Sequence, residues 1–511
     1  MLDHEPLTTL ASWLELKPGL IVAALTLLYI VMIVSPMQAI LWHDELFTFY
    51  IAQSPTLSRF VYSAQHVDWQ PPLIFATAWL SQQIFGVNEF GTRLPSVLAF
   101  FGASLGLLFV LKRHIGLLWS VVPVLLFWFS IYLKYATEAR PYGLLIGFFS
   151  LSLLSYDRLI DRQFSKNRYL YLAGLLLGNA GMMLSHILAP LSIMPFGAAE
   201  LIRSWQRRRI DVPVWFTILA PLGIAKLFVS NVQSFEQSYF PVIFQASFKK
   251  IPVFYLKSFF FIWPVAIAGM IVALASSRFI GQPRIKRGFS FFYLPHIAFA
   301  FALLLPPILI NLVFMINHGA FWPRYCITTI LLLYVLLCLV FAWLSNFARS
   351  SALAVVVAIL IVGIIQTAAA HRPLRPMHRI EAIRPDLPMV DASGLAFLEM
   401  DHYESSQFLK RLYYLTDRPS AIRYVHATLF EGFGELHRYF PLRATALPYN
   451  DFIREHKHFM VFGTPGAAED WLFQKLQDDG AKIRTVEFIQ TPYRDNGIYE
   501  VTFAGQSLVP R

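Results

Sequence analysis

The sequence predicts a polytopic α-helical membrane protein with a small C-terminal α/β domain. Of its 511 residues, 56% are hydrophobic and only 14% are charged, whereas charged residues make up about 25% of an ordinary soluble domain. The mean hydropathy is +0.53, and aromatic residues, which are frequent at membrane interfaces, account for 16% of the chain. This composition excludes soluble globular, disordered and fibrous proteins.

Long apolar segments predict the membrane-spanning helices. Because a span needs about 20 apolar residues, the sequence indicates roughly eleven spans, near residues 20–40, 93–111, 115–134, 141–157, 169–186, 187–202, 212–229, 253–277, 289–316, 325–345 and 350–370. The first is longer than the apolar region of a signal peptide and no small-x-small motif follows it, so we expect a retained anchor. Residues 71–85 reach only about 22 Å as a helix, which predicts an interfacial or re-entrant helix on the outer face.

Basic residues predict the orientation of these spans. They cluster at residues 112–113, 158–168, 203–209 and 278–287, and Arg349 adds a smaller group. The positive-inside rule places all of them in the cytoplasm, with the N-terminus inside and the C-terminus outside. The same rule accounts for the net charge of +11, so we expect no nucleic-acid partner.

The composition changes near residue 371, where a proline-rich linker begins and after which charges are frequent. We therefore divide the chain into a transmembrane domain, residues 1–370, and a linker with an extracytoplasmic α/β domain, residues 371–511. The predicted elements of that domain are strands at 458–463, 482–489 and 499–503 and a helix at 467–477. Gly463-Thr-Pro-Gly466 is interpreted as a plain turn in preference to a phosphate-binding loop.

The two cysteines carry no predicted chemistry. Cys326 and Cys338 lie in one apolar helix, about 18 Å apart along its axis, which is too far for a disulfide bond. We expect no intramolecular disulfide, no cysteine zinc site and no catalytic thiol.

Polar residues collect at the predicted outer ends of the helices. The candidate site residues among them are His43, Asp44, Glu45, His66, Asp68, Gln70, Arg93, Glu138, Arg140, Tyr142, His186, His318, Arg324 and Tyr325. The helix centres hold essentially no Asp, Glu, Lys or Arg, whereas ion-coupled transporters place ionisable groups near the midplane. This distribution predicts chemistry at the outer interface.

Each candidate also has a purely structural interpretation. Asp44 and Glu45 are compatible with an ordinary solvated loop start, and Arg140 and Arg324 with interfacial anchors. A lone histidine such as His186 is more often a satisfied interfacial residue than a catalytic one. The combination is more specific than any of its parts.

Five patches in order carry a resemblance to a known family. They are Trp42-His-Asp-Glu45, Gln70-Pro-Pro-Leu73, Gly91-Thr-Arg-Leu-Pro-Ser96, Glu138-Ala-Arg-Pro-Tyr142 and Arg324-Tyr325. Over about residues 40–330 the chain resembles GT-C-fold glycosyltransferases of the protein O-mannosyltransferase and lipid A aminoarabinose transferase group. Asp-Glu after the first span is the most diagnostic feature of that group. The chain departs from bacterial aminoarabinose transferases at Gln70, where they carry a basic residue.

The resemblance implies an inverting sugar transfer outside the cytoplasm. A polyprenyl-phosphate carrier in the outer leaflet would supply a hexosyl or pentosyl group, and a hydroxyl of a lipid, glycan or protein would accept it. Asp44 matches the base, and Glu45 would orient the acceptor or hold Asp44 in place. The residues implied to bind the donor phosphate are Arg324, Arg140, His186, Tyr142 and Tyr325.

We expect no cofactor. A divalent metal such as Mg²⁺ or Mn²⁺ is the alternative that we do not favour, because the motif resemblance implies a metal-free enzyme. Its ligands would come from His43, Asp44, Glu45, His66 and Asp68.

Other functional classes remain open at this point. A transporter or flippase of lipid-linked sugars explains the many spans but not the clustered outer carboxylates. A scaffold protein acting through its C-terminal domain would need one anchor only, and an oligosaccharide transferase or polymerase of the same fold is a third alternative. The short loops suit a multi-pass protein of a bacterial inner membrane, with the C-terminal domain in the periplasm.

Overall fold

The computed structural model describes residues 5–68, 70–161, 166–228, 239–260, 262–279, 294–369, 378–490 and 495–503. Helices dominate up to Ala369, and a six-stranded sheet follows. The helices of the first part are α1 (Glu5–Glu15), α2 (Pro18–Gln38), α3 (His43–Ala52), α4 (Leu57–His66), α5 (Leu73–Phe85), α6 (Glu89–Ile115), α7 (Leu117–Trp128), α8 (Pro141–Ile160), α9 (Arg168–Ser185), α10 (Ala189–Arg207), α11 (Val212–Leu219), α12 (Lys250–Phe260), α13 (Trp263–Phe279), α14 (Leu294–Leu303), α15 (Pro306–Ile316), α16 (Ile327–Leu344) and α17 (Arg349–Ala369).

Helices occupy the described parts of all eleven predicted spans, but the number of spans is not confirmed. Within the described residues, six helical segments are long and apolar enough to cross a membrane, and one of them, Leu294–Ile316, consists of α14 and α15 together. A seventh counts if α12 and α13, bent by 67°, form one span. Several predicted spans are short or interrupted. Residues 115–134, for example, contain the 12-residue helix α7 and then a 3-10 helix at Ile131–Ala136.

The short segment at residues 71–85 forms the 13-residue helix α5, which is too short to span as an α-helix. It begins directly after Pro71 and Pro72, and it packs beside α3 and α6. The interfacial or re-entrant position of α5 stays a prediction.

Close packing joins the first half of α8 to the first half of α6. A Cβ atom on Gly143 would lie 2.8 Å from the main-chain oxygen of Ser96, and one on Gly147 would lie 2.8 Å from that of Ala99. Small residues of this kind let two membrane helices approach closely. They bring the beginning of α8, where Arg140 lies, next to the beginning of α6, where Arg93 lies.

Both cysteines are free and buried, as the sequence predicts. Cys338 donates a hydrogen bond from Sγ to the main-chain oxygen of Trp119, 3.2 Å away. It therefore serves to pack α16 against α7.

The C-terminal part is an α/β domain with strand order β3-β2-β1-β4-β6-β5. Strands β1 to β4 pair in parallel, whereas β6 pairs antiparallel with β4 and β5. Its elements are α18 (His378–Glu381), β1 (Met389–Asp391), α19 (Gly394–Tyr403), α20 (Ser406–Leu409), β2 (Leu412–Thr416), α21 (Arg418–Val425), β3 (Thr445–Pro448), α22 (Tyr449–Glu455), β4 (His458–Gly463), α23 (Leu472–Asp478), β5 (Lys482–Gln490) and β6 (Asp495–Thr502).

The predicted helix at residues 467–477 is wrong at its beginning. Ala467 donates its main-chain hydrogen to the oxygen of Thr464, 3.1 Å away, in a turn, and Gly466 has a φ of +78°. The helix α23 starts only at Leu472. The Gly463-Thr-Pro-Gly466 segment therefore does not lead directly into a helix N-terminus, which supports its interpretation as a plain turn.

The C-terminal domain packs directly onto α3. The main-chain N–H of His43 donates to Glu399 Oε1 (3.0 Å), and Tyr50 Oη lies 2.8 Å from His402 Nδ1. Leu46 and Phe49 share an apolar cluster with side chains of α19 and the following segment. The sheet domain thus covers one face of the helix that carries Asp44.

Candidate active site

The Asp44-Glu45 pair lies in the first turn of α3, directly after the end of α2. Trp42 precedes the helix in an extended conformation, and its main-chain N–H donates to Glu45 Oε2 at 3.2 Å. A carboxylate at this position satisfies a free N–H and favours the helix start. Glu45 is buried, with 1% of its side chain exposed. The interpretation of the pair as a solvated loop start is therefore wrong.

Glu45 is held by a buried ion pair with Arg93. Arg93 Nε donates to Glu45 Oε1 (2.8 Å) and Nη2 donates to Oε2 (2.6 Å). The same guanidinium donates to the main-chain oxygens of Pro36 (3.1 Å) and Ile40 (2.9 Å) at the end of α2. Glu45 Oε1 also accepts the N–H of Ala139 at 2.8 Å. Both residues consequently position α2, α3, α6 and the segment before α8.

Asp44 faces two arginines. Its Oδ2 lies 3.5 Å from Arg140 Nη2 and 4.0 Å from Arg324 Nη2, and 21% of the side chain is exposed. Burial alone would raise the pKa of Asp44, but Arg140 and Arg324 outweigh it and lower the pKa below its usual value. Asp44 is therefore a carboxylate at neutral pH.

Arg140 is fixed in place by Asp68. Arg140 Nη1 donates to Asp68 Oδ2 (3.0 Å) and to the main-chain oxygen of Asp44 (3.2 Å). Burial raises the pKa of Asp68, although Arg140 and a hydrogen bond from the main chain of Gln70 work in the opposite direction. Asp68 and Gln70 therefore belong to the site, and their segment sets the position of one arginine.

Aromatic rings and His186 surround Arg324. Its guanidinium carbon lies 5.0 Å from the ring centroid of Trp322 and 5.9 Å from that of Tyr142, within the range of cation–π contacts. The ring of His186 lies 5.4 Å from that of Tyr142 and 6.0 Å from that of Tyr325. The site thus gathers every residue that the resemblance implies for the donor phosphate.

Several buried donors of this site are not used by the protein. His186 Nδ1 accepts the N–H of Leu188 at 3.0 Å, which leaves the hydrogen of the neutral ring on Nε2. Among the described residues, no hydrogen-bond partner is found for His186 Nε2, Arg140 Nε, Arg324 Nε or Trp42 Nε1, all of them buried. Buried polar groups are normally paired, so this set of N–H groups is suited to an anion.

Glu138 is a second carboxyl group near Asp44. Its Oε1 lies 3.8 Å from Lys134 Nζ. Burial, as the largest cause, raises the pKa of Glu138 to about 7, and the negative charges of Glu45 and Asp44 contribute to the increase. The positive charges of Lys134 and Arg324 lower the pKa and offset part of this increase. Near neutral pH the group is divided between its charged and neutral forms.

Three predicted residues are not brought into the site. The ring of His43 stacks on Phe433 at 5.8 Å beneath the C-terminal domain, and burial lowers its pKa to about 4. His66 is exposed and stacks on Tyr62 at 4.1 Å. His318 is exposed in the turn after α15, with a φ of +52°.

The alternative metal set of His43, Asp44, Glu45, His66 and Asp68 is not assembled. His43 and His66 point elsewhere, Glu45 is committed to Arg93, and Asp68 binds Arg140. Within the described ranges, the one group of three potential ligands close enough for a metal is His114, Asp157 and His296, far from Asp44. The absence of a required cofactor stays a prediction.

Two aromatic residues of the site were missed by the sequence analysis. Tyr135 lies 4.9 Å from the ring of Tyr142, and Trp322 contacts Arg324. Tyr135 lies three residues before the patch that begins at Glu138, and Trp322 lies two residues before Arg324. This closeness in sequence was the signal that could have identified them.

The profile of the dolichyl-phosphate-mannose-protein mannosyltransferase family matches residues 69–230 of this chain. The chain is similar to that family. The matched stretch includes three of the five patches, and it confirms over these residues the predicted likeness to membrane glycosyltransferases of the protein O-mannosyltransferase group. No curated protein sequence matches the chain.

Two solved structures are similar to this chain along most of its length. One is ArnT from Cupriavidus metallidurans bound to undecaprenyl phosphate, with 13% identity and a TM-score of 0.48. The other is the same protein in the apo state, with 12% identity and a TM-score of 0.48. In both comparisons the similarity covers 94% of this chain and 97% of the ArnT chain.

Proposed function

We propose that this protein transfers a sugar from a polyprenyl-phosphate carrier to a hydroxyl group of an acceptor on the extracytoplasmic face. The observation that carries the proposal is the juxtaposition of an ionised, partly exposed Asp44 with Arg140 and Arg324. The Nε–H groups of both arginines are buried and have no hydrogen-bond partner among the described residues, so they can bind an anion. The family match over residues 69–230 supports the same class of reaction.

Asp44 acts as the base in this proposal. The acceptor oxygen attacks the anomeric carbon, the bond from that carbon to the phosphate oxygen breaks, and its electron pair stays on the phosphate. The hydroxyl proton passes to Asp44. Attack from the side opposite the phosphate inverts the anomeric centre. A positioned base of this kind typically contributes about 10²–10⁴-fold to the rate.

Arg140 and Arg324 stabilise the leaving phosphate. Its negative charge grows as the glycosidic bond breaks, and fixed guanidinium groups bind that charge without reorganisation. His186 Nε2 would add a third N–H donor, with Tyr142 and Tyr325 beside it. The negative charge of the bound phosphate would also offset part of the positive charge of the two arginines, which raises the basicity of the Asp44 carboxylate when the donor is present.

The sugar class is left open by this site. Gln70 stands beside Asp68 and offers no positive charge. A hexosyl or a pentosyl carrier is therefore proposed without preference, and the acceptor is a lipid, glycan or protein hydroxyl.

The proposed location is a bacterial inner membrane, with the N-terminus in the cytoplasm and the C-terminal domain in the periplasm. In α6, Arg93 lies at the site and Lys112 and Arg113 lie at the opposite end. Positive residues at that end favour the cytoplasm.

A flippase or transporter is not favoured, because the ionisable cluster around Asp44, Arg140 and Arg324 lies at one end of the helices and not at their centres.

A transfer assay on detergent-purified protein tests the proposal. Radiolabelled polyprenyl-phosphate sugars would be supplied as a panel, with a membrane extract as the source of acceptor. We expect wild type and Asp451→Asn, an exposed aspartate of the C-terminal domain, to transfer one of these sugars and Asp44→Asn not to. Equal transfer by wild type and Asp44→Asn would refute the assignment of the base.

A further inference from the structure

Two histidines and an aspartate meet at the opposite end of the helices that carry the candidate active site. In α6, Arg93 lies near the beginning and His114 in the last turn, about 32 Å apart along the axis. In α8, the chain leaves the site after Pro141, and Asp157 lies near the end of the helix. His296 belongs to α14. None of these residues takes part in the proposed reaction.

Their side chains converge on one carboxylate oxygen. His114 Nε2 lies 2.8 Å and His296 Nε2 lies 3.8 Å from Asp157 Oδ1. The two imidazole rings are 5.3 Å apart and inclined by 70°. One potential ligand atom from each residue lies within 4.8 Å of those of the other two. Three separate helices therefore present two nitrogens and one oxygen to a common point.

Arg113 orients the carboxylate of Asp157 by binding its second oxygen, Oδ2. Asp157 Oδ2 accepts a hydrogen bond from Arg113 Nη1, and Arg113 Nη2 pairs with Asp161. Asp157 is buried, with 4% of its side chain exposed. A partner that fixes one carboxylate oxygen and leaves the other toward two imidazoles is typical of the surroundings of a metal ligand.

We propose that His114, Asp157 and His296 bind a zinc ion, which joins α14 to the ends of α6 and α8. Imidazole nitrogen and carboxylate oxygen are suitable zinc ligands at about 2.0–2.2 Å, and a tetrahedral ion needs them about 3.3 Å apart. The present separations of 2.8 and 3.8 Å from Asp157 Oδ1 lie on either side of that value, and water would be the fourth ligand. The site is independent of the proposed sugar transfer.

Without a metal, the same groups form an ion-pair network of Asp157 with Arg113 and the histidines. The two interpretations differ in one measurable property. A network requires no ion, whereas the proposed site takes up one zinc per chain and loses it when either imidazole is removed.

Metal analysis of the full-length protein in detergent tests the proposal. The affinity tag would be removed, the protein stripped with a chelator, incubated with Zn²⁺ and freed of excess metal. We expect about one zinc per chain in wild type and in His437→Ala, an exposed histidine of the C-terminal domain. His114→Ala and His296→Ala should each bind less than about one tenth of that amount.

Cobalt binding provides a readout that does not depend on protein stability. Co²⁺ in place of Zn²⁺ should give visible absorption of a tetrahedral site in wild type, and His296→Gln should lose it while keeping its melting temperature in metal-free buffer. Absence of stoichiometric metal in wild type, or equal binding by wild type and both histidine variants, would overturn the proposal. If His114→Ala does not fold, the His296→Gln comparison decides alone.

Discussion

Asp44 and Glu45 are neighbours in sequence but differ in burial and in hydrogen bonding. Glu45 is buried and bonded to Arg93 and to two main-chain N–H groups, so it has no oxygen left for an acceptor. Asp44 is partly exposed and faces two arginines across 3.5 and 4.0 Å. Of the two roles that the resemblance implies for Glu45, the structure supports holding Asp44 in place.

Breaking the Arg93–Glu45 pair should destabilise the protein strongly. Arg93→Ala leaves a buried carboxylate and the carbonyl groups at the end of α2 without their partner, which typically costs about 3–5 kcal/mol. We expect a clear drop in the melting temperature of the detergent-solubilised protein. Arg454→Ala, which removes an exposed pair with Asp451, should change the stability by less than about 1 kcal/mol. Similar shifts in both variants would contradict a structural role.

Glu138 should make the stability fall as the pH rises. Its pKa is raised from 4.5 to about 7 in the folded protein, so the folded state holds its proton more tightly than the unfolded state does. The stabilisation is complete below the unfolded pKa and is lost as the pH rises through the folded value. Relative to Glu138→Gln, wild type should lose melting temperature between about pH 5 and about pH 8. Parallel pH profiles of the two proteins would show that the carboxyl group has an ordinary pKa.

Sequence reasoning could identify the site residues that stand at helix ends in recognisable patches. It could not place residues whose surroundings depend on partners far away in the chain. Asp44, Arg140 and Arg324 stand in recognisable patches, and the structure brings them together. His43 was misplaced because Phe430 and Phe433 cover its ring, and nothing local signals a contact almost 400 residues away along the chain. The ion pair of Arg93 with Glu45 could not be predicted either, because the two residues are 48 positions apart in the chain.

At the scale of elements, a short two-stranded contact links Arg324 to the C-terminal domain. Gln245 and Ala320 form an isolated antiparallel bridge, and Phe321 donates its N–H to the oxygen of Phe244 at 3.0 Å. The ring of Phe244 lies 4.7 Å from that of Trp322, which in turn contacts Arg324. On the other side, the N–H of Tyr239 donates to Thr428 at 3.0 Å.

Phe244→Ala should weaken binding of the lipid donor with little effect on the chemical step. Loss of its contact with Trp322, worth about 0.5–1.5 kcal/mol, loosens the aromatic support of Arg324. We expect the KM for the donor to rise by roughly twofold to tenfold and kcat to stay nearly constant. Phe248→Ala, an exposed phenylalanine nearby, is the control. A loss in kcat alone would place the effect on another part of the site.

Element boundaries were predictable where the pattern is local. The strand at 458–463 was predicted at its full length, whereas the helix after it starts five residues late because a turn and Gly466 come first. The count of spans could not be read from hydropathy, since α7 carries Pro123 and the chain continues as a 3-10 helix. Proline inside a helix removes a hydrogen bond and interrupts it.

For the whole molecule, the sheet domain and the helical part are joined through α3. Tyr403 Oη accepts the N–H of Leu41 (2.7 Å) and donates to Glu89 (3.0 Å), while Glu399 accepts the N–H of His43. Through these bonds, α19 of the sheet domain fixes the segment between α2 and α3. The domain thereby supports the position of Asp44.

A chain truncated near Pro373 should therefore lose transfer to the native acceptor and melt at a lower temperature. Removal of the domain exposes the apolar face of α3, including Leu46 and Phe49, and leaves the N–H groups at Leu41 and His43 without partners. The assay is transfer together with thermal unfolding of the truncated and full-length proteins. Full retention of transfer would refute a role of the domain in the reaction.

The measurement that tests the central claim most directly compares donor binding with transfer in Asp44→Asn and Arg324→Gln. Single-turnover transfer and binding of the labelled polyprenyl-phosphate sugar would be measured in the same preparations, with Arg423→Gln, an exposed arginine, as control. We predict that Asp44→Asn binds the donor as well as wild type but transfers about 10²–10⁴-fold more slowly, and that Arg324→Gln loses donor binding. Transfer by Asp44→Asn at the wild-type rate would contradict Asp44 as the base.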